Sequence, residues 1–169
     1  NAVYEKISDL NIEKEHLTIV ATHTHAGPGG TVDTSKNPFK NLQSIFGEPN
    51  PEYLDFLSSQ IAFAAKNSFA DLKPCELTIG RGNIFDVGSE RHDPKLPGDD
   101  SLLVFLFTRT DGKTALLYNY ACHPTVTGPD NVMITADFPY TVERDLDFDL
   151  VMFINSNAGN ISTRFTRTS

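Results

Sequence analysis

Val3, Ile7 and Leu10 recur at the three-to-four-residue interval of a helix face, and Asn11 after them reads as the helix end. The strongest helical pattern runs from Pro51 to Leu72. Leu54, Leu57, Ile61, Ala65 and Phe69 form one apolar stripe, with Glu52, Asp55, Ser59 and Lys66 facing away. Pro51 suits a first-turn position, and Pro74 ends the element. A shorter helix is expected from Pro139 to about Leu146, with Asp137 placed to start it.

Strand-like runs lie between these helices. The first is Leu17 to His25. Cys75, Leu77 and Ile79 alternate with Glu76 and Thr78, as in a half-buried strand. Leu102 to Phe107 is continuously apolar, as in a strand covered on both faces. Asp111-Gly112 signals a hairpin turn into Ala115 to Cys122, and Val151 to Ile154 is the last strand. Residues 26–50 and 85–100 are rich in Gly, Pro and Asp and read as loops; one as long as the first is usually functional.

The order, roughly αβ, αβ, ββ, αβ, predicts an α/β fold: a mixed β-sheet flanked by helices, with the site at the strand ends. No repeat or linker divides the chain. Residues 1–169 read as part of a single α/β catalytic domain that begins inside a helix and stops just after a site-like loop, hence incomplete at both ends.

With 39% hydrophobic residues the chain can bury a real core. Its net charge of −8 and scattered Lys and Arg residues argue against nucleic acid as a partner. No apolar run approaches the roughly 20 residues of a membrane span. Cys75 and Cys122 make neither a disulfide framework nor a zinc-knuckle spacing, and both read as small buried hydrophobes. No signal peptide is visible, which leaves the compartment open.

The densest chemistry lies in Ala21-Thr-His-Thr-His-Ala-Gly-Pro-Gly-Gly30. On a strand, His23 and His25 would point to one side, their backbones roughly 7 Å apart, and could face one metal or one substrate. An isolated His-x-His is more often two hydrogen-bonded histidines. Two further segments shift that balance: His123 ends another apolar run, and Val151 to Ile154 empties into Asn155-Ser-Asn-Ala-Gly-Asn-Ile-Ser162. His23 and His123 are the strongest metal candidates, since catalytic zinc usually takes three protein ligands and an open position. His25 is a third ligand or a neighbour that hydrogen-bonds substrate. His16 and His92 read as exposed. Asp137 is a helix N-cap, or a carboxylate that orients a histidine or binds a second cation. Ser162 is a turn residue, a nucleophile or an oxyanion donor. Asn160-Ile161-Ser162 also fits a glycosylation sequon, which a pocket-lining loop would make meaningless.

Other His-x-His families fit poorly. Metallo-β-lactamase-like hydrolases continue with x-Asp-His, which Ala26-Gly27-Pro28 does not supply, and amidohydrolase barrels need eight strand–helix repeats. The segments Ala21–Gly30, Asn119-Tyr-Ala-Cys-His-Pro-Thr-Val-Thr-Gly128 and Asn155–Ser162 resemble, in the family's order, the neutral/alkaline non-lysosomal ceramidases. The resemblance implies a zinc amidase that hydrolyses the N-acyl bond of ceramide to a fatty acid and sphingosine; a metallohydrolase of the same family acting on another amide or ester is an alternative. It matches His23 and His123 to zinc ligands, His25 to a substrate-side histidine, Arg91 to a substrate-contacting arginine and Ser162 to the serine of a Gly-Asp-Val-Ser motif. That motif's Asp is Asn160 here, and the family's Glu and Tyr ligands have no counterpart in these residues, which leaves a non-catalytic metal-binding relative as the alternative. The resemblance implies a secreted or membrane-surface location, with a cytoplasmic one also open.

Overall fold

The computed structural model describes residues 2–31 and 47–165, so residues 32–46 of the expected long loop lie outside the described part. The chain divides into two compact units, Asn1–Ile19 with Pro28–Leu72, and Val20–Gly27 with Lys73–Ser169.

In the first unit, α1 (Ala2–Lys6) runs into a short 3-10 turn at Ser8–Leu10, and Asn11 closes it in the left-handed region at φ 52°. Asparagine tolerates that conformation, so the helix end falls where the sequence places it. Helix α2 (Pro51–Ala70) starts at Asn50, whose side chain accepts from the Tyr53 N–H at 3.0 Å. Its buried positions are the small Ser58 and Ala62, and it packs against α1. Asp55 and Lys66 do not simply face water: they pair with Lys6 and Asp9 at 2.7 Å.

The second unit holds a four-stranded mixed sheet in the order β1-β3-β4-β5. Strands β1 (Cys75–Asn83), β3 (Ser101–Arg109) and β4 (Thr114–Tyr120) are antiparallel neighbours, and β5 (Leu150–Asn155) joins β4 in parallel. This is the α/β fold expected. The hairpin between β3 and β4 turns at Gly112, at φ 88°, as Asp-Gly requires. Helix α3 (Phe138–Asp145) covers one face of β5. There Tyr118, Tyr120, Cys122, Val151 and Phe153 form a buried cluster, with Phe138 and Val142 of α3 against it. Phe153 stacks between Tyr118 and Phe138 at ring separations of 5.1 and 5.3 Å. Each such side chain contributes about 1.5–3 kcal/mol by leaving water.

Four expectations are corrected. Leu17 to His25 is not a strand: Lys14–His16 forms a 3-10 turn, none of the described residues pairs with the segment as a ladder, and His23 takes φ 70°. A left-handed residue breaks the two-residue alternation on which the strand reading rests. β1 is exposed rather than half-buried, because it is the edge of the described sheet; Leu77 and Ile79 lie open. Cys75, at its start, is exposed for the same reason, while Cys122 is buried as expected. The 85–100 loop contains a short strand, β2 (Ser89–Glu90), which pairs with β6 (Ile161–Ser162). Among the described residues no helix is long and apolar enough to cross a membrane.

Candidate metal centre

The parallel pairing of β4 and β5 brings their following loops side by side. Cys122 N–H donates to the Asn155 side chain at 3.3 Å, and His123 forms a parallel bridge with Ser162. His123 is thus anchored twice to β6: its backbone N–H and its Nδ1 both reach the Ile161 carbonyl, at 3.0 and 2.8 Å. A carbonyl only accepts, so Nδ1 is the donor in this contact and Nε2 is the ring nitrogen left for another partner.

The 23–25 segment approaches from another part of the same unit. Thr24 Oγ1 donates to the Thr135 carbonyl at 2.8 Å, and Thr135 N–H returns a bond to the Ala26 carbonyl at 3.1 Å. This clasp pins the tripeptide, and the turn at His23 swings both imidazoles the same way without a strand. The ring centroids lie 5.2 Å apart for His23 and His25, 4.7 Å for His23 and His123, and 5.4 Å for His25 and His123. One ring nitrogen from each lies within 4.8 Å of the others.

Burial, and then the neighbouring His123, lower the pKa of both His23 and His25. Neutral imidazoles are what a metal needs. Three imidazole nitrogen donors, one with its ring orientation set by a carbonyl, fit a zinc ion, and the carbonyl is the partner such ligands normally use.

His25 and His123 also line a cavity of about 590 Å³, with Arg91, Ser162, Thr125 and Asn131 among its walls. The structure therefore gathers all five site residues expected from the sequence: three converge on one point, and Arg91 and Ser162 line the adjoining cavity. Ser162 is buried, and its Oγ accepts from the Arg164 N–H at 3.2 Å, leaving its own proton to donate. His16 and His92 stay exposed, and neither is among the residues that line the cavity.

Asp137 is the N-cap of α3 and more. Its carboxylate accepts from the N–H groups of Phe138, Val126 and Thr127 at 2.8, 3.1 and 3.0 Å, and from the Thr127 hydroxyl at 2.9 Å. It clamps the 124–128 wall of the cavity and bonds no histidine. Burial pushes its pKa up, but these hydrogen bonds outweigh burial and hold it below the ordinary carboxylate value. The polar side chains missed from the sequence are Thr125, Thr127, Asn131 and Arg164, which line the cavity from loops without periodic pattern.

No family model matches the chain, and no curated protein does. Solved structures do: a ceramidase described as complexed with C2 (TM-score 0.72, 22% identity), and neutral ceramidase from Pseudomonas aeruginosa (0.72, 24%). They cover 96% and 95% of this chain. The chain has a neutral ceramidase-like fold. It spans only 28% and 29% of those two ceramidase chains.

Proposed function

We propose that the chain contributes a zinc site to an amidase of ceramidase type, acting on the N-acyl bond of ceramide or a related lipid amide. The convergence of His23, His25 and His123 beside a cavity of about 590 Å³ carries this reading. His23 and His123 would hold the ion, and His25 either completes that set or meets substrate. The chemistry zinc supplies there is Lewis-acid polarisation of a carbonyl and acidification of water toward neutral pH.

The remaining roles belong to the cavity wall. The Ser162 hydroxyl keeps a proton to donate to a developing oxyanion, and the Arg91 guanidinium places positive charge on the same space. Asn160, where the family motif has Asp, contributes its backbone carbonyl to the Arg91 N–H at 2.8 Å. Either side chain supports that contact, so the departure leaves the placement of Arg91 unchanged.

The test is hydrolysis of a fluorescent N-acyl sphingosine by the full-length protein, before chelation, after it, and on return of zinc. Activity should vanish and come back. Hydrolysis that survives chelation, or His23→Ala, would overturn the zinc assignment.

A further inference from the structure

The cavity wall carries two guanidinium groups, Arg91 and Arg164, in a protein of net charge −8. Pairing of β2 with β6 brings them together: Arg91 N–H donates to the Asn160 carbonyl at 2.8 Å, and Arg164 Nη1 reaches the Arg91 carbonyl at 3.4 Å. Among the described residues no carboxylate pairs with either arginine.

The nearby carboxylates are already engaged. Glu90 Oε2 accepts from the N–H groups of His92 and Asp93 at 2.9 and 2.7 Å. Asp137 is spent on its own loop, as described above. Arg91 Nε is buried without a hydrogen-bond partner among the described residues, one of several such side-chain atoms and the one that belongs to a cavity-lining cation. Arg164 lays its face over the Phe165 ring at 5.8 Å, which leaves donors on its edge. Two guanidinium groups lining one cavity, neither paired with a carboxylate among the described residues, match one chemical group well: a carboxylate, which guanidinium groups bind in a bidentate fork.

We propose that Arg91 and Arg164 form a carboxylate subsite beside the histidines, so that the preferred substrate is an amide bearing a free carboxylate, such as an N-acyl amino acid. This rests on the amidase reading above and, within it, selects the related lipid amides over ceramide, which carries no carboxylate.

The experiment compares N-lauroylglycine with neutral N-lauroylethanolamine, using zinc-loaded full-length protein. The kcat/KM ratio should favour the anionic amide by about tenfold or more. Arg164→Gln should erase that preference through KM, Arg164→Lys should restore part of it, and thermal melts should show both variants folded.

Laurate as an inhibitor separates the two sources of a carboxylate. If the amides are hydrolysed alike but laurate competes in the wild type and not in Arg164→Gln, the subsite holds the released acid and the substrate assignment falls. Equal hydrolysis, with laurate indifferent to the substitution, overturns the subsite and leaves the amidase standing. If neither amide is cleaved, calorimetric titration with laurate decides. Binding weakened about tenfold in Arg164→Gln keeps the subsite while the amidase reading fails, and an unchanged titration rejects the subsite.

Discussion

His123 donates from Nδ1 to the Ile161 carbonyl oxygen at 2.8 Å, and its backbone N–H donates to the same oxygen at 3.0 Å. One acceptor on β6 thus sets both the position of the imidazole and which of its nitrogens donates there. His23 and His25, by contrast, are exposed and are placed only by the turn that Thr24 clasps. The site is therefore built on His123, and the other two imidazoles close onto it.

Zinc affinity should follow that order. His123→Ala and His23→Ala are expected to weaken zinc binding by at least about a hundredfold, read by competition with a chromophoric chelator. His25→Ala separates the two roles open to it. Loss of affinity of about tenfold or more makes it a ligand; unchanged affinity with a collapse of kcat makes it a substrate-side group.

Asp137 should matter to stability in a pH-dependent way. It sits at φ 63° and ψ −148°, a region suited to glycine, and four hydrogen bonds hold it there. Asp137→Asn keeps the shape but turns an NH2 group onto donors, at a cost of about 2 kcal/mol. Because the folded pKa lies below the ordinary 3.8, the carboxylate's contribution is complete above that value and is lost as pH falls through the folded pKa. Thermal melts from neutral pH down to about pH 2 should show wild type and variant converging only at the acid end; a gap constant with pH would refute the ionic role.

Gly88 packs tightly behind the candidate metal centre. A Cβ there would stand 2.8 Å from Ile161 Cγ2, 3.2 Å from the Tyr120 hydroxyl and 3.4 Å from Cys122 Sγ. Gly88→Ala must push on the residue whose carbonyl holds His123, so we expect a loss of about 1–3 kcal/mol in urea unfolding and weaker zinc binding together. Gly82→Ala, with nothing within 4 Å of its Cβ, is the control and should do neither through packing.

These residues also show what the sequence makes legible. The sheet strands, the Asp-Gly hairpin and α2 follow from local pattern and turn chemistry, which act within a few residues. His23, His25, His123 and Ser162 are legible because they stand in recognisable strings, and Arg91 enters through the family resemblance alone. What failed was longer in range. The strand assigned to Leu17–His25 depended on a partner and on unbroken alternation, and the left-handed turn at His23 denies the second. The exposure of Cys75 depends on β1 being an edge, which no single strand encodes. Arg164 reaches the cavity through a two-residue pairing, β2 with β6, too short to leave a pattern.

Tyr118 offers a prediction of opposite sign. Its ring fills the core between β4 and β5, yet its hydroxyl is buried without a hydrogen-bond partner, and burial, then Glu143, raises its pKa. Its neighbour Tyr120 shows the alternative, since that hydroxyl accepts from the Gly88 N–H at 3.2 Å. An unpaired buried hydroxyl costs desolvation that no contact returns, so removing it should not hurt. Tyr118→Phe keeps the stacking on Phe153 at 5.1 Å and should leave stability unchanged or raise it by up to about 1 kcal/mol. Tyr120→Phe strips a partner from the Gly88 amide and should lower stability by about 1 kcal/mol. Equilibrium unfolding of the two variants side by side checks the contrast. A loss at Tyr118 as large as that at Tyr120 would mean that its hydroxyl is engaged after all.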